Sequence, residues 1–185
     1  MALFAEKGFA ATRLEDVAAR AGVAKGTLYL YFDSKEALFK AVIEEGILPV
    51  LAAGEAVVAN HVGSAEALLE RLVETWWQGI GATPFTGVPK LMIAESGNFP
   101  EVARYYHEQV ILPGRALMAV LRRGMASGEF RTLEVESCID VMIAPLLMLA
   151  IWQHSMAMCL ERPVKPAAFL ATYLDLLKRG LIAQV

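Results

Sequence analysis

The side chains able to do chemistry fall into two groups. The first, the catalytic and metal-binding kinds, is sparse. His61, His107 and His154 lie far apart, and Cys138 and Cys159 form neither a disulfide framework nor a metal-ligand spacing. No HExxH, GxSxG or P-loop pattern occurs. The expectation is therefore no catalytic residue, no metal and no cofactor, so not an enzyme. The second group is dense. Lys25, Gly26, Thr27, Tyr29 and Tyr31 fall within seven residues, with Arg13 ahead of them and Lys35 just beyond. Lys25 can neutralise a phosphate, and Gly26 lets a backbone approach closely. Thr27 offers a hydroxyl and a methyl suited to a thymine methyl. Tyr29 and Tyr31 can put hydroxyls on phosphate oxygens. Lys35 adds its charge to the free N–H groups that open a helix, a good phosphate site. Arg13 supplies a further cation. Together these residues describe a surface that reads double-stranded DNA.

Such a surface needs elements to hold it. Thr12-Arg13-Leu14-Glu15 reads as a capping box opening a helix whose inner face carries Leu14, Val17 and Ala18. Gly22 supplies the turn that ends it. A helix of barely two turns follows, roughly Lys25 to Leu30, too short to bury much. Asp33-Ser34-Lys35-Glu36 then caps another helix, with Leu38, Val42 and Ile43 on its stripe. Capped helix, glycine turn and short helix are the layout of a helix-turn-helix. Ahead of it, Leu3 to Lys7 reads as the tail of a helix closed by Gly8.

The remainder also reads as helix, with no hairpin signal. Ser64 opens a helix to about Gly79. Residues 79–89 form the main break, and Leu91 to Ser96 a short helix. Phe99 to Ser127 is a long helix with a stripe at Phe99, Ala103, Tyr106, Val110, Gly114, Leu117, Leu121 and Met125, kinked at Pro113. Glu134 to Leu160 and Pro166 to Arg179 are the last two helices, jointed at Pro163 and Pro166.

The chain has 185 residues, a formal charge of −3 and 56% hydrophobic residues, and its mean hydropathy is +0.45. This composition is more apolar than that of an average soluble domain and excludes disorder. Residues 1–45 carry six basic and seven acidic residues, so DNA binding there must rest on a local patch rather than on a global field. Residues 141–160 contain no Asp, Glu, Lys or Arg, which is long enough to span a bilayer. Pro145 and the Gln153-His154-Ser155 interruption leave only residues 141–152 densely apolar, and no GxxxG motif occurs. A buried helix is expected, with no membrane partner. Two free cysteines in an apolar stretch, and no signal-peptide pattern at Met1, fit a reducing cytoplasmic compartment.

The segments Leu3–Phe9, Thr12–Ala18, Ala21–Phe32 and Ser34–Leu38 together resemble the TetR/AcrR-type transcriptional regulators. The resemblance covers about the first 45 residues. It implies an all-α fold: an N-terminal three-helix helix-turn-helix DNA-binding domain (residues 1–45), then a helical ligand-binding and dimerisation domain (residues 46–185). It also implies a repressor that binds a palindromic operator as a homodimer and is released by a small apolar or aromatic effector. The dimer would form through residues 134–160 and 166–179. The pocket would draw on Trp76, Trp77, Met92, Phe99, Tyr106, Met118, Met142 and Trp152, with His107 as a polar contact. Two departures stand out. Ala24 occupies the position where the family usually has a Ser or Thr cap, and Met1 falls in the middle of the family's first helix, so that helix reads as truncated at its N-terminus. The rival reading is a small-molecule binding or scaffold protein with a vestigial helix-turn-helix.

Overall fold

The computed structural model describes residues 1–112, 116–155 and 164–183. Pro113, Gly114, Cys159, Pro163 and the expected helical end at Leu160 lie outside the described residues. The described residues are mostly helical and contain no strand, only an isolated antiparallel bridge between Phe130 and Ile182. The fold is all-α, as the sequence implied.

The first four helices are α1 (Ala2–Ala11), α2 (Leu14–Ala21), α3 (Lys25–Tyr31) and α4 (Lys35–Gly46). Gly8 has φ +81° and ends the first stretch of α1, as expected; one separate helical turn then follows to Ala11. The capping box at Thr12 does not form. Thr12 is buried, and its hydroxyl donates to the Gly8 carbonyl at 2.6 Å, so it serves the end of α1 rather than the start of α2. Gly22 takes φ +70°, and the N–H groups of Gly22 and Val23 close α2 on the Ala19 and Ala18 carbonyls. Ser34 caps α4 by accepting from the Ala37 N–H.

Next come α5 (Leu48–Asn60), α6 (Ala65–Trp76), α7 (Gly87–Glu95), α8 (Pro100–Tyr106), α9 (Ala116–Ser127), α10 (Val135–Ser155) and α11 (Pro166–Leu181). Helix α5 was not anticipated: it carries almost no polar residue, so no amphipathic stripe marks it. The expected break at 79–89 is shorter. α7 starts at Gly87 with Pro89 in its first turn, where a missing N–H costs nothing. Along the expected helix from Phe99 to Ser127, α8 widens into a π-helical turn at His107–Ile111, and α9 is described from Ala116; the expected kink at Pro113 lies outside the described residues. A matching π turn, Trp77–Gly81, extends α6.

Two apolar clusters hold the bundle. One joins α6, α9, α10 and α11 around Leu68, Leu69, Leu121 and Met142. The other joins Phe4, Phe9, Phe39 and Ile43 of the first four helices to Val88, Leu91, Met92 and Val102 of α7 and α8. This second core runs across residue 45, because α1 and α4 bury their apolar faces against α7 and α8 rather than only against each other. Helix α10 is long and apolar enough to cross a membrane by length and composition. Here it packs on α7 and α9, with Met142, Leu146, Leu149 and Ala150 buried.

Candidate nucleic-acid interface

Helix α3 is held by its neighbours' ends rather than by a face of its own. The Gly22 turn sets its angle to α2, and Ala24, which has no side-chain oxygen, opens it without a side-chain cap. None of its seven residues is buried, and Leu30 and Tyr31 are 84% and 76% exposed. A short helix that contributes nothing to the core serves some purpose other than stability.

Lys25, Gly26, Thr27, Tyr29 and Tyr31 are all exposed on this helix, and Arg13 is exposed at the start of α2. A Cβ added at Gly26 would meet nothing within 4 Å, so the fold itself does not require glycine there. Lys25 and Tyr29 converge on one anion. Glu15 Oε1 lies 2.6 Å from Lys25 Nζ and accepts the Tyr29 hydroxyl at 3.1 Å, while the Lys25 ammonium stands 5.5 Å from the Tyr29 ring centre. The bond from Lys25, reinforced by those from Glu15's own backbone and Tyr29, pulls the Glu15 carboxyl down to about 2. Lys25 and Tyr29 thus direct their donors at the same carboxylate oxygen. Sequence reading missed Glu15, although its position one helix back across the Gly22 turn was a usable signal.

Lys35 departs from the expected free phosphate contact. Its ammonium donates to the Phe9 and Ala10 carbonyls at 3.0 and 2.9 Å and lies over the Phe9 and Phe99 rings at 4.8 and 5.2 Å. The carbonyls that end α1 have no helical partner, and Lys35 is the nearest strong donor. Two further ion pairs, Arg20 with Glu6 and Lys7 with Asp16, fasten α2 to α1.

The expected pocket residues do not gather in one place. Phe99 is turned to the N-terminal helices, its ring edge-on to Phe9 at 4.6 Å. Met92 is buried in the same core, with Tyr106 packed against it. Burial pushes the Tyr106 phenol up to about 12. Met142 is fully buried in the other core, and Met118 packs on that core. Trp76 touches both cores and is tilted 6.4 Å from Trp77. Trp77 lines an open groove with Ala2, Ala5, Thr83 and Gln153. Trp152 is half-buried and His107 is exposed. Most of these side chains are core because large apolar groups are the first to be enclosed wherever helices meet. Among the described residues no group of His, Cys, Asp and Glu is arranged to hold a metal.

The family model for bacterial regulatory proteins of the tetR family matches residues 1–42. The HTH-type transcriptional repressor KstR2 of Rhodococcus jostii is 32% identical over 147 residues, a match spanning 77% of this chain and 67% of that protein. Among solved structures, the ketosteroid transcriptional regulator KstR2 of Mycobacterium tuberculosis is similar with a TM-score of 0.74 at 22% identity, covering 99% of this chain and 91% of that one. The TetR family transcriptional regulator PfmR of Thermus thermophilus is similar with a TM-score of 0.76 at 26% identity, covering 98% and 95%.

Proposed function

The chain belongs to the tetR family of bacterial regulatory proteins, and we propose that it acts as a dimeric transcriptional repressor whose operator is released by a small apolar or aromatic effector. The observation that carries the DNA-binding part is α3: seven residues, none buried, with Lys25, Thr27, Tyr29 and Tyr31 facing outward. In this reading α3 enters a major groove. Thr27 and the backbone at Gly26 meet base edges, while Lys25, Tyr29, Tyr31 and Arg13 meet phosphates. A duplex phosphate takes the place that Glu15 holds between Lys25 and Tyr29. Residues 1–45 form the DNA-binding unit and residues 46–185 the regulatory one.

A second copy of the chain covers the outward faces of α10 and α11. Val141 and Leu176 are 67% and 64% exposed, and Met148 is exposed one to two turns after Val141 on the same side of α10. A self-complementary apolar patch of this kind suits a two-fold dimer and hence a palindromic site with half-sites about 34–36 Å apart, or a multiple of that. The effector site lies between the regulatory helices. Both π turns begin at aromatic residues, Trp76-Trp77 and Tyr106-His107, and such turns occur frequently at functional sites. Tyr106 would give a mostly apolar effector one polar contact. The core shared by Phe9, Phe39, Met92 and Val102 offers a continuous route from α7 and α8 to α4, and a coupling of about 1–3 kcal/mol between the two sites is enough for release.

The test is a gel shift of the purified protein on DNA flanking its own gene, repeated across salt and then with apolar and aromatic candidates. A specific, salt-sensitive complex supports the reading. No complex on any duplex favours a binding or scaffold protein instead. Val141→Glu and Met148→Glu should yield monomers by analytical ultracentrifugation; dimers that survive both changes would move the interface elsewhere.

A further inference from the structure

The break in α1 at Gly8 has a chemical consequence. It leaves the turn Phe9–Ala11 with its own unsatisfied N–H groups at one end and carbonyls at the other. Both ends are taken by residues distant in sequence. Glu95 Oε1 accepts the Ala10 N–H at 3.2 Å, and the neighbouring Phe9 N–H helps hold the same carboxyl below its ordinary range. Asn98 Nδ2 holds the other carboxylate oxygen at 3.0 Å. The Phe99 ring meets Phe9 edge-on, and Lys35, at the start of α4, ties the Phe9 and Ala10 carbonyls while standing over both rings.

The turn between α7 and α8 therefore grips one turn of α1 at its N–H groups and its ring, and Lys35 links the same turn to α4. No three-helix unit could make these contacts alone, since Glu95 lies 85 residues from Ala10. Helix α1 in turn carries α2 through Arg20 with Glu6 and Lys7 with Asp16, and α2 carries α3 through the Gly22 turn and the bonds from Lys25 and Tyr29 to Glu15. We propose that Glu95 and Phe99 are positioning residues for the recognition helix: they fix α1, and through it α2 and α3, relative to the regulatory helices. For its DNA consequence this rests on the repressor reading, but its structural half does not.

The test has two arms on the full-length Glu95→Gln/Phe99→Leu double variant. Without DNA, amide exchange at Phe9 and Ala10 should rise, and exchange across α2 and α3 should rise with it by about threefold or more. Exchange at Leu68 and Leu69, deep in the other core, should match wild type. With operator, affinity should fall about fivefold while the slope of affinity against salt stays unchanged, because no phosphate contact is lost. A rise confined to Phe9 and Ala10, or an altered salt slope, overturns the proposal. If Leu68 and Leu69 exchange faster, so that the fold itself is damaged, Asn98→Ala decides. That exposed residue only orients Glu95, and it must reproduce the rise in α2 and α3 or the proposal fails. Should wild type bind no duplex, the repressor reading falls while the exchange arm still decides the structural half.

Discussion

Lys25→Gln separates phosphate contact from mere surface charge. Lys25 Nζ is 2.6 Å from Glu15 Oε1, with Tyr29 donating to the same oxygen, so the ammonium is already oriented toward an anion. In the proposed reading, a phosphate oxygen replaces the carboxylate when a duplex binds. Each phosphate neutralised contributes about 0.9 to the slope of log affinity against log salt. A dimer presents Lys25 twice, so the variant's slope should be shallower by about 1.8. Between about 50 and about 200 mM salt, wild type should then lose about twelvefold more affinity than the variant. Glu15→Gln should act in the opposite sense, tightening binding because the phosphate no longer displaces a charged competitor, and that gain should vanish when Lys25 is also Gln. Fluorescence anisotropy titrations at four salt concentrations on all three variants measure both effects. Parallel slopes for wild type and Lys25→Gln would refute the assignment of Lys25 to a phosphate. A Glu15→Gln gain that survives loss of Lys25 would show simple charge repulsion rather than competition for one site.

Three further outcomes follow from packing and titration. A Cβ at Gly46 would fall inside the Phe85 ring, so Gly46→Ala should cost about 1–3 kcal/mol, visible in urea unfolding; an unchanged midpoint would mean that Phe85 moves freely. The Tyr173 hydroxyl donates to the Met142 carbonyl at 2.6 Å in the α10–α11 contact. Tyr173→Phe should cost about 1–1.5 kcal/mol and lower Tm by about 2–6 °C by calorimetry, and no shift would show that the carbonyl is satisfied without it. Glu95 is held below its usual 4.5 chiefly by the bond from Asn98. A carboxyl with a depressed folded pKa stabilises fully above the unfolded value and loses that contribution as pH falls through the folded one. Glu95→Gln should therefore be less stable than wild type at pH 7 and should converge with it in acid, as read from denaturation midpoints at several pH values. A constant gap between the two would discount the charge.

The helix-turn-helix was legible because its signals are local. Gly22 must take a left-handed turn, Ser34 must cap, and a polar, aromatic seven-residue helix cannot pay its way by burial. Local signals also misled. Thr12-x-x-Glu15 has the letters of a capping box, yet the Thr12 hydroxyl turns back to Gly8 and Glu15 turns forward to Lys25. Helix α5 was silent because apolarity on every side leaves no period to read. Phe99 and Met92 were legible as large and apolar, but not as members of a core shared with α1 and α4.

From its own order of residues the chain determined that it is helical, where its helix-turn-helix lies, and which charges the short exposed helix presents. Those properties depend on hydrogen bonds and turns spanning a few residues. The tertiary structure alone decided that Glu15 accepts from both Lys25 and Tyr29, that Lys35 closes α1, and that Glu95 and Phe99, far along the chain, clasp that helix. Each of these joins groups between 10 and 90 residues apart. Only packing brings them together, because which unsatisfied N–H or carbonyl meets which charged side chain is settled when the apolar faces of the helices close on one another.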